Sequence, residues 1–227
     1  MNTKRLVLAA LVGMFVLPMR LLSADQSEDA WWQQENFVHL SVYYTCCNID
    51  DFSASLGSAG LDFGGGGMTM HGGGFSIGGD HVDKDTHYGW GCTWSFSACF
   101  GDNSDCDAYR LKTSLDFYVP FRVSNTLTIY AGAGGTLGGI RLIYDGFDDG
   151  EDVEFGPDSG KDMLSYEAFV GLRWRYSEYA LLFAEYRREF GKSTMSCKTY
   201  STNHDRDEKF DLDLDANRIS VGIGVMF

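Results

Sequence analysis

The chain has 227 residues, 28 of them glycine and only 3 proline, with 15% aromatics and a formal charge of −14 at neutral pH. That length suits one domain with a sizeable core, and the glycine and aromatic content suits many strands joined by turns. The acidic balance argues against nucleic-acid binding, which needs basic patches for phosphates.

Residues 1–24 have the form of a cleaved secretory signal peptide: Lys4 and Arg5, an apolar run from Leu6 to Leu17, and a cleavage site at Leu22-Ser23-Ala24. Their removal takes away three positive charges (Lys4, Arg5, Arg20) and moves the charge from −14 to −17. The apolar run is short for a membrane anchor and is broken by Pro18 and Arg20. No later segment reaches 18 consecutive apolar residues, so a membrane-spanning reading requires strands closed into a barrel. Residues 25–35 are polar around Trp31 and Trp32 and read as a short periplasmic lead-in with its indoles at the membrane interface. The barrel itself is expected over 36–227.

Alternation with a period of two then recurs along the chain. In the first strand Val38, Leu40, Val42 and Tyr44 oppose His39, Ser41 and Tyr43. Residues 46–70 give no clear pattern, and Phe75 and Ile77 mark a glycine-rich second strand near 69–79. Asp80 to Thr86 reads as a polar turn. The third strand sets Tyr88, Trp90, Cys92, Trp94, Phe96 and Ala98 against small residues, and 99–106 reads as a polar loop. The fourth sets Tyr109, Leu111, Thr113, Leu115, Phe117 and Val119 against Arg110, Lys112, Ser114, Asp116 and Tyr118.

After a tight turn at Ser124-Asn125, the fifth strand starts at Leu127 and extends toward Tyr144; an acidic loop over 145–162 follows. In the sixth, Tyr166, Ala168, Val170, Leu172 and Trp174 oppose Glu167, Gly171, Arg173 and Arg175. In the seventh, beyond Ser177-Glu178, Ala180, Leu182, Ala184 and Tyr186 oppose Glu185, Arg187 and Glu189. Residues 191–215 read as another long loop. The last segment, Ala216 to Phe227, sets Ile219, Val221, Ile223, Val225 and Phe227 against Arg218, Ser220, Gly222, Gly224 and Met226. Phe210, Leu212 and Leu214 alternate in the opposite phase to Ile219 onward, which predicts a β-bulge near Ala216 or the end of a loop hairpin.

These features predict an all-β fold: an eight-stranded antiparallel up-and-down transmembrane β-barrel, with short periplasmic turns and longer extracellular loops. The signal peptide, the eight segments, the loop asymmetry, the stretch FAEYRREF at 183–190 and the terminal Phe227 together resemble the small outer-membrane β-barrel proteins of the OmpA transmembrane-domain and OmpX type. The resemblance implies localisation in the outer membrane, contact with its lipids, and Phe227 as part of the signal read by the barrel assembly machinery. It does not imply anchoring to the cell wall, because the sequence shows no peptidoglycan-binding domain after the barrel, and six cysteines are unusual for the family.

The inward rows place Arg110, Lys112, Arg173, Arg175, Arg187 and Arg218 with Asp116, Glu167, Glu185 and Glu189. Charge in a narrow interior must be paired or hydrated, so these residues are expected to form an ionic plug rather than an ion pathway. Counting back from the Ser177-Glu178 turn sets Glu185 level with Gly171 and Arg187 level with Phe169, with Glu167 and Arg173 as diagonal neighbours.

His39 and Ser41 form a His-x-Ser pair of the kind some eight-stranded barrels use to deacylate lipid A. Here both would point inward, away from a lipid substrate. Cys99 and Cys106 flank one expected loop in a disulfide-permissive compartment, and so are expected to pair with each other. The acidic residues at 145–162 and the Asp211-Asp213-Asp215 series lack the ligand spacing of a calcium loop and read as solvated surface.

The resulting expectation is a monomeric, non-enzymatic barrel with no cofactor or metal, serving structurally or binding an extracellular ligand through its acidic loops. A narrow channel or small-solute porin is the first alternative, and a lipid-modifying enzyme the second.

Overall fold

In the computed structural model the described residues are 36–49, 68–83, 85–102, 106–147, 151–158, 163–197 and 209–227. The expected signal peptide and lead-in lie outside them. Ten strands follow in order: β1 (Asn36–Ile49), β2 (Met68–Val82), β3 (Gly89–Asp102), β4 (Cys106–Arg122), β5 (Leu127–Phe147), β6 (Glu151–Pro157), β7 (Leu164–Arg175), β8 (Ala180–Cys197), β9 (Lys209–Asp213) and β10 (Ala216–Met226). Eight of them close a ring. Neighbours pair antiparallel from β1 to β5, β5 pairs with β7, β7 with β8, β8 with β10, and β10 returns to β1. Closure leaves no open edge in the ring, which a membrane-spanning sheet requires because lipid cannot satisfy backbone groups.

The two extra strands correct the expected loops. β6 lies inside the acidic stretch 145–162 and pairs with β5 at Leu142–Phe155 and with β8 at Phe155–Cys197, above the point where β5 leaves β7. β9 lies inside 191–215 and pairs with β8 from Lys192 to Ser196, above β10. β4, β5 and β8 have 17, 21 and 18 residues, well beyond the ~9–11 a tilted strand needs to cross the hydrocarbon. Their upper halves therefore stand outside the bilayer, and β6 and β9 pair with them there.

Outward rows match the expected faces. Leu40, Ile77, Trp94, Leu115, Ile129, Leu172 and Val221 are exposed apolar residues on the outer wall. Exposed aromatics mark both rims: Tyr88, Trp90, Trp174, Tyr176 and Phe227 at the end carrying the short turns, and Tyr44, Phe100, Tyr109 and Phe190 at the other. An apolar band between aromatic girdles is the surface of a membrane barrel.

No bulge is needed near Ala216. Leu212, Leu214, Ala216, Arg218 and Ser220 are all buried, so the even-numbered residues face inward without interruption. What changes is the chemistry of the two sides. Inside the bilayer the outward residue must be apolar. Above it the outward residue meets water, as Asp211 does, and the inward one becomes an ordinary core residue. The same reversal occurs on β2, where Thr69 and His71 are exposed over buried Met68 and Met70, and on β5, where Arg141 is exposed between Ile140 and Leu142. An apparent change of phase in the sequence is thus the membrane boundary.

Two further expectations are corrected. Asp80 is not a turn residue: it lies inside β2 and is 3% exposed, with the turn starting at Asp83. Cys99 and Cys106 are not loop ends: both sit in strands and face the interior, and no disulfide joins them. Cys99 stands opposite Arg110 on β4, four residues from Cys106. Four strand residues are about 13 Å, and a disulfide needs Cα atoms within about 7 Å.

Candidate functional site: the barrel interior

The inner wall is layered along the barrel axis. At the extracellular end, buried apolar residues including Ile49, Met70, Ile140, Leu142, Phe155, Met195 and Leu212 pack into one cluster. Below it lies a network of ion pairs. Glu189 accepts from Arg110 Nη2 at 2.5 Å, Lys112 Nζ at 2.9 Å and Ser165 Oγ. Glu167 accepts from Lys112 Nζ at 3.1 Å, Arg218 Nη2 at 3.1 Å and Arg187 Nη1. Arg187 also donates to Asp116 at 2.7 Å and to Glu185. β4, β7, β8 and β10 each supply members, so the network ties non-adjacent strands across the lumen.

Glycines on β5 make this geometry possible. Gly134 lies between Asp116 on β4 and Glu167 on β7 in register. A Cβ there would collide with Asp116 Oδ1. With no side chain on the intervening strand, carboxylates and cations from β4 and β7 reach each other over it.

The next layer is aromatic. Tyr118, Tyr130 and Phe169 pack together, with ring centroids 5.5 to 6.3 Å apart. Arg187 stacks on Phe169 at 4.2 Å and Arg173 on Tyr130 at 4.9 Å. Asp80 anchors this layer, accepting from Tyr118 Oη and from Arg173 Nη1.

All ten residues of the expected network are buried and face the interior: Arg110, Lys112, Asp116, Glu167, Arg173, Arg175, Glu185, Arg187, Glu189 and Arg218. The register sets Glu185 opposite Gly171 and Arg187 opposite Phe169. Glu167 meets Arg187, its diagonal neighbour on β8, as the counting from the turn sets it. Arg173 has a partner that the counting did not name: its guanidinium reaches across the lumen to Asp80 on β2, past the rings of Tyr118 and Tyr130. Asp80 was missed because it adjoins a polar turn. Its alternation with Gly78 and Ser76 was the available signal.

Apart from Asp80, the side of the lumen formed by β1, β2 and β3 carries hydroxyls and the His39 ring where the opposite side carries charges. His39, Ser41, Ser76, Thr93 and Ser95 line a chamber whose far wall is Asp116, Glu185, Arg187 and Arg218. The chamber offers about 30 Å³ to the centres of water molecules, enough for roughly two waters and too little for a hydrated ion. His39 and Ser41 are 3% and 1% exposed and face this chamber, so neither reaches the lipid side.

Outside the membrane band, Asp215, Asp213 and Asp211 face Arg188 at 3.5 Å, Lys192 at 3.4 Å and Thr194 at 3.0 Å. The series is therefore a cross-strand charge ladder, and no group of three His, Cys, Asp or Glu among the described residues is placed to hold a metal ion.

The closed ring, apolar outer band and ion-paired lumen define an eight-stranded membrane β-barrel of the outer-membrane type. No protein-family model matches the chain, and no curated protein matches it. Among solved structures it is similar to Ail, the attachment invasion locus protein of Yersinia pestis, at 15% identity, over 86% of this chain and 100% of that one, with a TM-score of 0.49. It is also similar to OprG from Pseudomonas aeruginosa, at 12% identity, over 85% and 96% of the two chains, with a TM-score of 0.48. A major outer membrane protein from Thermus thermophilus is similar at 11% identity, over 84% and 99%, with a TM-score of 0.47.

Proposed function

We propose that the protein, a barrel of the bacterial outer membrane, is a monomer with a structural or surface-binding role, with no open pore and no enzymatic activity. The observation that carries this reading is the filled lumen. Glu167 holds cations from β4, β8 and β10, and Glu189 holds Arg110 and Lys112 of β4; the chamber beside them admits about two waters. Such a lumen resists ion flow and fixes strand order. The reading also takes residues 1–24 as a secretory signal and Phe227 as part of the assembly signal. Phe227 is 71% exposed on the lipid side, and its N–H donates to Val38 O at 2.9 Å, joining the chain's end to β1. Binding falls to the strands above the bilayer, where Asp107 and Asp211 supply carboxylates and Glu154 is paired with Arg141, and the net charge of −14 suits a cationic extracellular ligand. The enzymatic reading finds no support in His39 and Ser41, which face the closed chamber.

Planar-bilayer recording of the refolded protein at neutral pH and moderate salt tests the lumen, with a lipid-hydrolysis assay alongside. Little steady conductance and no hydrolysis are expected. A stable open channel would overturn the plug and establish the porin alternative.

A further inference from the structure

The apolar outer wall is interrupted on one flank. On β7 the outward row stays apolar from Trp174 through Leu172, Val170, Ala168 and Tyr166 to Leu164. On β8, Leu182 stands opposite Trp174, but Arg188 stands opposite Ala168, in the middle of that apolar row. Arg188 begins a polar line that runs in register across four strands. It faces Asn217 on β10, Asn217 faces Asn48 on β1, and Asn48 faces Thr69 on β2. All four alternate with buried neighbours and point outward; Arg188 and Asn217 are half-buried, Asn48 and Thr69 exposed. Barrel strands tilt, so the line climbs from the apolar band at Arg188 to the water side at Thr69. That is the level of the outer-leaflet headgroups.

The contacts within the line fix its polar groups. Asn217 Oδ1 accepts from Tyr186 Oη at 2.6 Å, and Asn48 Oδ1 from Thr69 Oγ1 at 3.4 Å. Each amide has two N–H donors besides that acceptor. One outward position lower on β2, His71 Nδ1 lies 2.6 Å from Tyr44 Oη. Tyr44 and Tyr186 are themselves exposed on the wall. Fixed amides and hydroxyls beside exposed rings suit a sugar, whose edge both donates and accepts hydrogen bonds and whose C–H faces lie flat on aromatic rings. A phosphate fits less well, because Asp215, at 3.5 Å, offsets the charge of Arg188.

We propose that this flank binds the sugar headgroup of an outer-leaflet glycolipid, with Asn48, Asn217, Thr69 and Arg188 as hydrogen-bonding groups and Tyr44 and Tyr186 as stacking rings.

The test is native mass spectrometry of the refolded full-length barrel released from phosphatidylcholine nanodiscs that carry one added lipid. The added lipid is a phosphorylated disaccharide lipid of the lipid A type, its dephosphorylated form, or phosphatidylglycerol. One disaccharide lipid per chain should be retained with or without its phosphates, and phosphatidylglycerol should be lost. The Asn48→Leu/Asn217→Leu double variant should lower retention about tenfold. Leucine suits an outward row, so heat-modifiable migration should not change. Tyr186→Phe keeps the ring, removes the hydrogen bond to Asn217 and should weaken retention less; it keeps the test valid if the double variant fails to insert. Thr113→Leu changes an outward hydroxyl on β4, which bonds Ser95 O at 3.0 Å, and should bind like wild type. Wild-type protein that retains no more disaccharide lipid than the double variant would overturn the proposal. So would equal retention of phosphatidylglycerol, loss of retention on dephosphorylation, or unchanged retention by Tyr186→Phe.

Discussion

The two halves of the lumen use one backbone pattern for opposite chemistry. At the level of the bilayer the inward residues are Arg110, Lys112, Glu167, Arg187 and Arg218. One or two turns of the pleat higher they are Met70, Cys106, Ile140, Leu142 and Leu212. The strands do not change phase between the two levels. The solvent outside changes, from lipid to water, and the interior changes in response. Within the bilayer the apolar residues are needed on the outer wall, and the lumen must satisfy polar groups internally. Above it, Asp211 and Lys192 face water and the apolar residues turn inward, as in a soluble sheet. The lower half is held by ion pairs that are costly to break singly, and the upper half by area burial, which gives way by degrees.

The comparison makes predictions that differ in size between the levels. The largest effect is expected for Glu167→Ala, which leaves Lys112, Arg187 and Arg218 without their shared carboxylate. Breaking a buried pair in this way costs about 3–5 kcal/mol, measurable as a shift in the urea midpoint of reversible unfolding in lipid vesicles. Wild-type stability in this variant would show that the ion pairs do not hold the lower half.

Leu172→Arg comes next. Leu172 is 47% exposed on the lipid wall, and a cation near the bilayer midplane costs about 2–4 kcal/mol. Its neighbour Gly171 faces Tyr130 in the lumen, so a spin label at 172 should be accessible to lipid-soluble quenchers and one at 171 shielded. The reverse labelling would show the phase of β7 to be wrong.

A smaller loss is expected in the upper half. Leu212→Ala removes a fully buried side chain, but β9 pairs with a single strand, β8, and can relax around the gap. About 2 kcal/mol, the low end for a core leucine, should appear in the same unfolding assay, with the bilayer-level strands still protected from hydrogen exchange. Simultaneous loss of protection in β7 would mean that the two levels unfold as one unit.

The smallest effect belongs to the turn between β2 and β3. The Asp83 carboxylate accepts from the Thr86 N–H at 2.8 Å and the Asp85 N–H at 2.9 Å. Its hydrogen bonds, with that from the Thr86 N–H the largest, hold its pKa below the ordinary carboxylate value. A group whose pKa is lowered by folding adds stability above its unfolded pKa and loses it as the pH falls through the folded one. Acidification through that window should therefore speed amide exchange at Asp85 and Thr86 without changing exchange in the barrel strands. Asp83→Ala should remove the pH dependence. A turn in the variant that still titrates would assign the effect to another group.

The ring of eight strands, their outward faces and the inward position of the ten charged residues were all legible from alternation. The reason is that a strand in a bilayer has one face in lipid, and the outward rows at that level, with Leu40, Ile77, Trp94, Leu115, Ile129, Leu172 and Val221, are dominated by apolar residues under that single constraint. Register near the Ser177-Glu178 turn was legible too, because a tight turn fixes which residues oppose. Three features had to await the tertiary structure. β6 and β9 were hidden because their pairing depends on how far β5 and β8 extend above the membrane, which no local pattern records. The partnership of Arg173 with Asp80 spans 93 residues and the width of the lumen, past the rings of Tyr118 and Tyr130. The cysteines were decided by register: Cys99 and Cys106 are near in sequence yet four residues out of level. Cys47, over fifty residues from Cys99, joins it in one cluster because the sheet closes on itself and brings β1, β2 and β3 around the same end of the lumen.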